Sequence, residues 1–169
     1  MEKINIKSRE LFQNRKYRIE TAPLIIAVKI KTPQNIGNII RLADNIGCEK
    51  IIFIDNKPYP KVSKIKITAS SSLNSVKWEF LSPDEIKDII PNNYTVYAVE
   101  TSADSENIYD ISFSKKSVFI VGNEIRGIDN DILKLSDKII HIPMTGKNKS
   151  MNVSHAFSVV LFEWLRQQL

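Results

Sequence analysis

The chain has 169 residues, 43% hydrophobic and 25% charged, with a net charge of +5. That length and balance fit one globular domain with a substantial core, and no stretch approaches the roughly 20 continuous apolar residues of a membrane span. MEKINIKSRE lacks the apolar core of a secretory signal, and a lone cysteine, Cys48, cannot close an internal disulfide, so the expected setting is the reducing cytoplasm.

In chain order, residues 1–22 read as a basic extension and 23–169 as the folded domain. Lys3, Lys7, Arg9, Arg15, Lys16, Arg18, Lys29 and Lys31 face only Glu2, Glu10 and Glu20, so residues 1–31 carry the whole net charge. Lys57, Lys61, Lys64 and Lys66 form a second cluster without an acid. Such patches suit a polyanion through phosphate neutralisation, although lysine-rich surfaces also occur in proteins that touch no nucleic acid.

Leu24 to Val28 reads as a buried strand. A helix follows with Ile36, Ile39, Ile40, Ala43 and Ile46 at helical spacing, ending near Gly47. Ile51–Ile54 and Val76–Phe80 are the next strands, and Ser82-Pro83-Asp84-Glu85 announces a helix by its cap and first-turn acids. Tyr94–Val99 and Val118–Val121 are continuous apolar strands, Asp129–Leu135 a short helix, Lys138–Ile142 a final strand and Asn152 to about Gln168 a closing helix. Such strands interleaved with helices predict an α/β fold with a parallel sheet covered on both faces. Ligands in these sheets gather at the carboxyl ends of the strands.

Three loops at such ends hold polar residues. Thr32 to Arg41 leads into the first long helix; Asn35 can cap it, and Gly37 removes a side chain where a phosphate or substrate could approach. Asn38, Arg41 and Asn45 share a polar face, which on its own reads more readily as the solvated face of an amphipathic helix than as a binding surface. Gly122-Asn123-Glu124-Ile125-Arg126-Gly127 follows an apolar strand, either as a ligand loop or as a plain strand-to-helix turn. The stretch from Ile142 through Met144 and Ser150 to Ser154 crowds polar groups into one connection, though capping accounts for Ser150 or Asn152 singly. No GxGxxG or GxxxxGK[ST] is present, which disfavours dinucleotide and ATP binding. His141 and His155 have no cysteine company, so no metal site is expected.

Together these segments resemble the SpoU/TrmH branch of the SPOUT RNA methyltransferases. The resemblance rests on Asn35-x-Gly37 with Ile40-Arg41, Gly122-x-Glu124-x-x-Gly127, and Ile142-Pro143-Met144 with Ser150-Met151-Asn152-Val153-Ser154, in order and at matching spacing. It implies a Rossmann-like domain whose C-terminal part, about 118–169, threads a deep trefoil knot against the usual rule. It implies a homodimer with the active site at the interface, S-adenosylmethionine as cofactor, no metal, and RNA 2'-O-ribose methylation. Carried over by position, the cofactor contacts fall on Thr101, Gly122, Glu124, Ile142, Met144, Ser150 and Asn152, and the catalytic roles on Arg41, Asn35, Ser150 and Asn152. Phe157, Phe162 and Trp164 on the last helix are compatible with the dimer. Residues 1–22 match poorly and are expected to form a short helical, RNA-facing extension. His155 and Arg126 occupy positions that vary in the family and receive no catalytic role. Ser150 to Ser154 and Ser158-Val159-Val160 resemble the small wobble-position tRNA enzymes, while the basic N-terminus resembles those acting on the D-loop guanosine. A tRNA is the favoured substrate; ribosomal RNA and a catalytically silent RNA-binding factor are the alternatives.

Overall fold

The computed structural model describes residues 7–13 and 17–169. Of the basic residues expected on the extension, Lys3, Arg15 and Lys16 lie outside the described residues. Ser8–Gln13 forms a short helix, α1. The domain then runs β1 (Leu24–Val28), α2 (Pro33–Ile46), β2 (Lys50–Ile54), α3 (Val62–Ala69), β3 (Lys77–Leu81), β4 (Thr95–Val99), β5 (Glu106–Asn107), β6 (Ser117–Val121), α4 (Asn130–Leu133), β7 (Lys138–His141) and α5 (Val153–Gln168). No helix is long and apolar enough to cross a membrane among the described residues.

All seven strands pair in parallel, in the order β3-β2-β1-β6-β4-β7-β5. Because strand side chains alternate, β1 feeds Ile25 and Ala27 to one core and Leu24, Ile26 and Val28 to the other. The first core is filled by α2, α3 and α5, with Phe157, Leu161 and Trp164 fully buried; the second is closed by Ile86, Ile128 and Ile132. Continuous apolar strands follow from burial on both faces. Cys48 is buried in the first core, where loss of solvent pushes its thiol pKa upward and keeps it a small apolar group.

Four expectations change. The helix announced at Ser82 is one tight 3-10 turn, Pro83–Glu85, followed by turns that still seat Ile86, Ile89 and Ile90 against the second core before Pro91 ends the segment. Thr32, not Asn35, caps α2: its Oγ1 accepts from the Asn35 backbone N at 3.2 Å, with Pro33 in the first turn. Gly37 serves helix packing, since a Cβ there would lie 2.8 Å from the Ile65 carbonyl oxygen and 2.9 Å from the Ala69 N of α3. Phe157 and Trp164 belong to the core, which leaves Phe162, 50% exposed, as the outward aromatic of α5. The structure adds α3 and β5, both unanticipated; α3 has only Ile65 and Ala69 buried, and β5 is two residues long.

Ser70, which ends α3, holds φ 54° and ψ −128°. That combination suits glycine and strains a side chain by about 1–3 kcal/mol. Ser70→Gly should therefore raise stability by roughly 1 kcal/mol, whereas Gly37→Ala should cost about 1–3 kcal/mol by forcing α2 from α3. Urea unfolding of both variants checks the pair, and equal stabilities would contradict this packing.

Candidate active site

The carboxyl ends of β4, β6 and β7 open into a cleft of about 240 Å³. Its inner wall is apolar, from Val99, Val121, Ile140 and Ile142 at the strand ends. Its mouth is polar, from Thr101, Glu124, Lys149 and Ser150 on the loops. His141 also lines it, with Nδ1 2.9 Å from the Ser105 hydroxyl, which ties the β4–β5 loop to the end of β7.

Glu124 joins the loops around the cleft. Its Oε1 accepts from the Asn35 side-chain amide at 2.6 Å, and its Oε2 from the Lys31 backbone N at 2.9 Å. The Asn35 Oδ1 in turn accepts from the Asn152 amide at 3.1 Å. Asn152 is also the N-cap of α5, its Oδ1 accepting from the Ser154 N at 2.9 Å and hydroxyl at 2.7 Å. One line of hydrogen bonds thus links the loops that follow β1, β6 and β7. Partial burial alone would raise the Glu124 carboxyl pKa, but the bonds from Asn35 and from backbone N–H groups including Lys31 outweigh it and hold the group below the usual glutamate range.

The β6–α4 loop is braced from within. Asn123 is buried; its amide donates to the Lys29 carbonyl at 2.8 Å, and its Oδ1 accepts from the backbone N of Ile125 and Arg126, both at 3.0 Å. Asn123 and Gly127 exchange backbone hydrogen bonds, closing the loop into a tight ring. A Cβ on Gly122 would sit 2.5 Å from the Gly127 backbone, so only glycine allows that closure. Gly127 adopts φ 68° beside the Glu100 carboxylate, whose oxygens accept from the Thr101 and Ile128 N at 2.9 Å.

Thr101, Gly122, Glu124, Ile142, Met144 and Ser150 line the cleft. Asn35 and Asn152 stand beside it, reached through Glu124. Arg41 does not line it: the residue lies exposed on α2, six positions beyond Asn35. Ser150 is held by Asn148, whose Oδ1 accepts from its N and hydroxyl at 3.0 and 2.9 Å. The sequence reading missed Glu100, Asn123 and Lys31. Glu100 had a signal, as the acid that ends an apolar strand. Asn123 lay inside a recognised motif, whereas Lys31 contributes only its backbone to this joint and leaves no trace in sequence.

A model of the SpoU rRNA Methylase family matches residues 22–162. A tRNA (guanosine(18)-2'-O)-methyltransferase of Aquifex aeolicus is 28% identical over 150 residues, which cover 86% of this chain and 69% of that protein. An AdoMet-bound rRNA methyltransferase from Sinorhizobium meliloti superposes with a TM-score of 0.80 at 25% identity, covering 90% of this chain and 58% of its own length. A structure concerned with 2-OH methylation of C/U34 on tRNA superposes with a TM-score of 0.77 at 25% identity, covering 87% of this chain and 96% of its own. The chain thus spans under two thirds of the first of these structures and nearly all of the second.

Because the folded-state pKa of Glu124 is lowered, the stability it contributes is present above the ordinary value of about 4.3 and is lost as pH falls through the lowered one. An NMR titration of its carboxyl carbon should give a midpoint below about 4.3, and Asn35→Ala should move that midpoint up. A wild-type midpoint at or above the ordinary value would contradict the joint.

Proposed function

The chain belongs to the SpoU rRNA Methylase family, and on that premise we propose that it transfers a methyl group from S-adenosylmethionine to a ribose 2'-hydroxyl of RNA, with a tRNA as the favoured substrate. The observation that carries this reading is the line of hydrogen bonds from Lys31 and Asn35 through Glu124 to Asn152, which gathers three separated segments around one cleft. The cleft suits the cofactor: apolar strand ends offer surface to a flat heteroaromatic group, and the loop polar groups suit a charged amino-acid end. Thr101, Gly122, Glu124, Ile142, Met144, Ser150 and Asn152 are the residues we assign to hold it.

When bound, the cofactor supplies an electrophilic methyl group on a sulfonium. The protein has then to align a ribose and remove its hydroxyl proton. Asn35, fixed from both sides by Glu124 and Asn152, is placed to orient the ribose. A guanidinium stays protonated near neutral pH, so Arg41 is poorly suited to be a literal base. We assign it to grip an RNA phosphate next to the reacting ribose, with that phosphate accepting the 2'-hydroxyl proton.

The place of Arg41, exposed and outside its own cleft, supports a homodimer in which the site is completed at the interface. The outward Phe162 of α5 supports the same reading. We read 118–169 as the family's trefoil knot, a reading supported by α5, which follows β7 on the far side of β4, yet returns to pack on α2 beside β1. Residues 1–22 are proposed as an RNA-facing extension, and the cytoplasm as the site of action. Ribosomal RNA is the competing substrate, favoured by the likeness to the Sinorhizobium meliloti enzyme.

Labelled cofactor offered with bulk tRNA and ribosomal RNA lacking their natural modifications should place label in one tRNA position. Label confined to ribosomal RNA would transfer the assignment to that substrate. No transfer, with the cofactor shown to bind, would favour a silent RNA-binding factor. Arg41→Lys should lower turnover by about 100-fold or more while leaving cofactor affinity nearly unchanged; near-normal turnover would refute its role.

A further inference from the structure

A second cavity, of about 410 Å³, lies at the carboxyl ends of β1 and β2. Asn123 and Gly127 line both it and the cofactor cleft, so the β6–α4 loop is a partition between the two. The partition is rigid for the reasons above: Asn123 spends its side chain on Lys29, Ile125 and Arg126. Lys29 holds a left-handed φ of 51° at the cavity's edge, a strained backbone of the kind that concentrates at functional sites.

The lining has a definite chemistry. Lys29, Lys31 and Arg126 are cationic; Lys29 is engaged by Asp129 at 2.6 Å, while Lys31 and Arg126 make no ion pair with any described residue. Pro58, Pro60 and Ile30 supply apolar walls. Asp55 and Asn56 supply acceptors and donors, the Asp55 Oδ1 accepting from the Asn56 N at 2.8 Å. A bare phosphate would leave the apolar walls uncovered, and an apolar ligand would strand the charges. A ligand with an anionic group, a flat face and hydrogen-bonding edges satisfies all three features. A nucleotide has these parts.

We infer that this cavity seats the RNA nucleotide adjoining the methylated one, with its phosphate on Lys31 and Arg126 and its base against Pro58 and Pro60. The inference rests on the methyltransferase reading and extends it to substrate recognition. Lys31 serves both sides of the partition: its backbone N holds Glu124, and the residue lines the second cavity. An RNA strand whose ribose lies at the Asn35–Glu124 joint therefore has its next nucleotide within reach of these cations. Arg126 then acts in binding the substrate and not in the chemical step.

The test compares the full-length protein with a Lys31→Ala/Arg126→Ala variant and a Lys64→Ala/Lys66→Ala variant, the latter removing equal charge from the exposed face of α3. The readouts are kcat and KM for unmodified RNA, cofactor affinity, and the salt dependence of RNA binding. The cavity pair should raise KM for RNA by about tenfold or more and lower the log–log salt slope by about 1.4, at ~0.7 per lost single-strand phosphate contact. The α3 pair should leave cofactor affinity and kcat within about twofold of wild type and change KM less than the cavity pair. Equal effects of the two pairs, or an unchanged salt slope for the cavity pair, would overturn the inference while wild-type methyl transfer leaves the underlying reading standing. Wild-type protein that transfers no methyl to RNA would overturn that reading, and the cavity's assignment with it.

Discussion

The cleft is organised around a single carboxylate. Glu124 accepts from the Asn35 amide and the Lys31 backbone, and through Asn35 it reaches Asn152 and the start of α5. The partners lie 93, 89 and 117 residues apart for Lys31–Glu124, Asn35–Glu124 and Asn35–Asn152, so each bond closes a long loop that the strands alone would leave free at its tip. Hydrogen bonds to a charged group are worth about 1.5–3 kcal/mol when shielded, and less for a group as exposed as this one. Their larger effect is geometric: they fix where three loop tips stand relative to one another.

Around that joint, the backbone does what side chains cannot. Gly122 and Gly127 approach too closely for any Cβ, and Asn123 fastens the resulting ring to the end of β1. The ring is thin enough to have a cavity on each side, one apolar inside and polar at the mouth, the other lined by Lys29, Lys31 and Arg126. A reaction between a sulfonium donor and one ribose of a polyanion needs both kinds of surface next to each other. On the proposed assignment, opposite sides of one braced loop hold the donor site and the substrate site to a common reference.

The sheet was legible because its strands are continuous β-branched runs bounded by turn residues, and parallel pairing follows from burial on both faces. Edges were read less well. The two residues of β5 carry no period, and α3 exposes Val62 and Ile67 along with Lys64 and Lys66, so that Ile65 and Ala69 are too sparse to mark a face. The turn at Ser82 had every local helix-start signal, including a Ser82–Glu85 capping box, yet only turns follow before Pro91, and these suffice to pack Ile86, Ile89 and Ile90 on the second core. Gly37 was legible as special but not as to cause, because the α3 backbone that it admits is distant in sequence. At the cleft, motif positions such as Gly122, Glu124 and Ser150 could be named in advance because their spacing is local. Lys31 could not, because its contribution to the joint is a backbone N–H, and Glu100 needed the fold to bring it against Gly127.

Transfer of the methyl group to a ribose oxygen, and not to a base, can be read from the chemistry of the product. RNA methylated by the protein would be hydrolysed in alkali and the labelled fragment identified by mass. Alkaline cleavage needs a free 2'-hydroxyl, so methylation there leaves the labelled nucleotide in an alkali-resistant dinucleotide, which is the result the account predicts. Label released as a single nucleotide with the methyl on its base would contradict it.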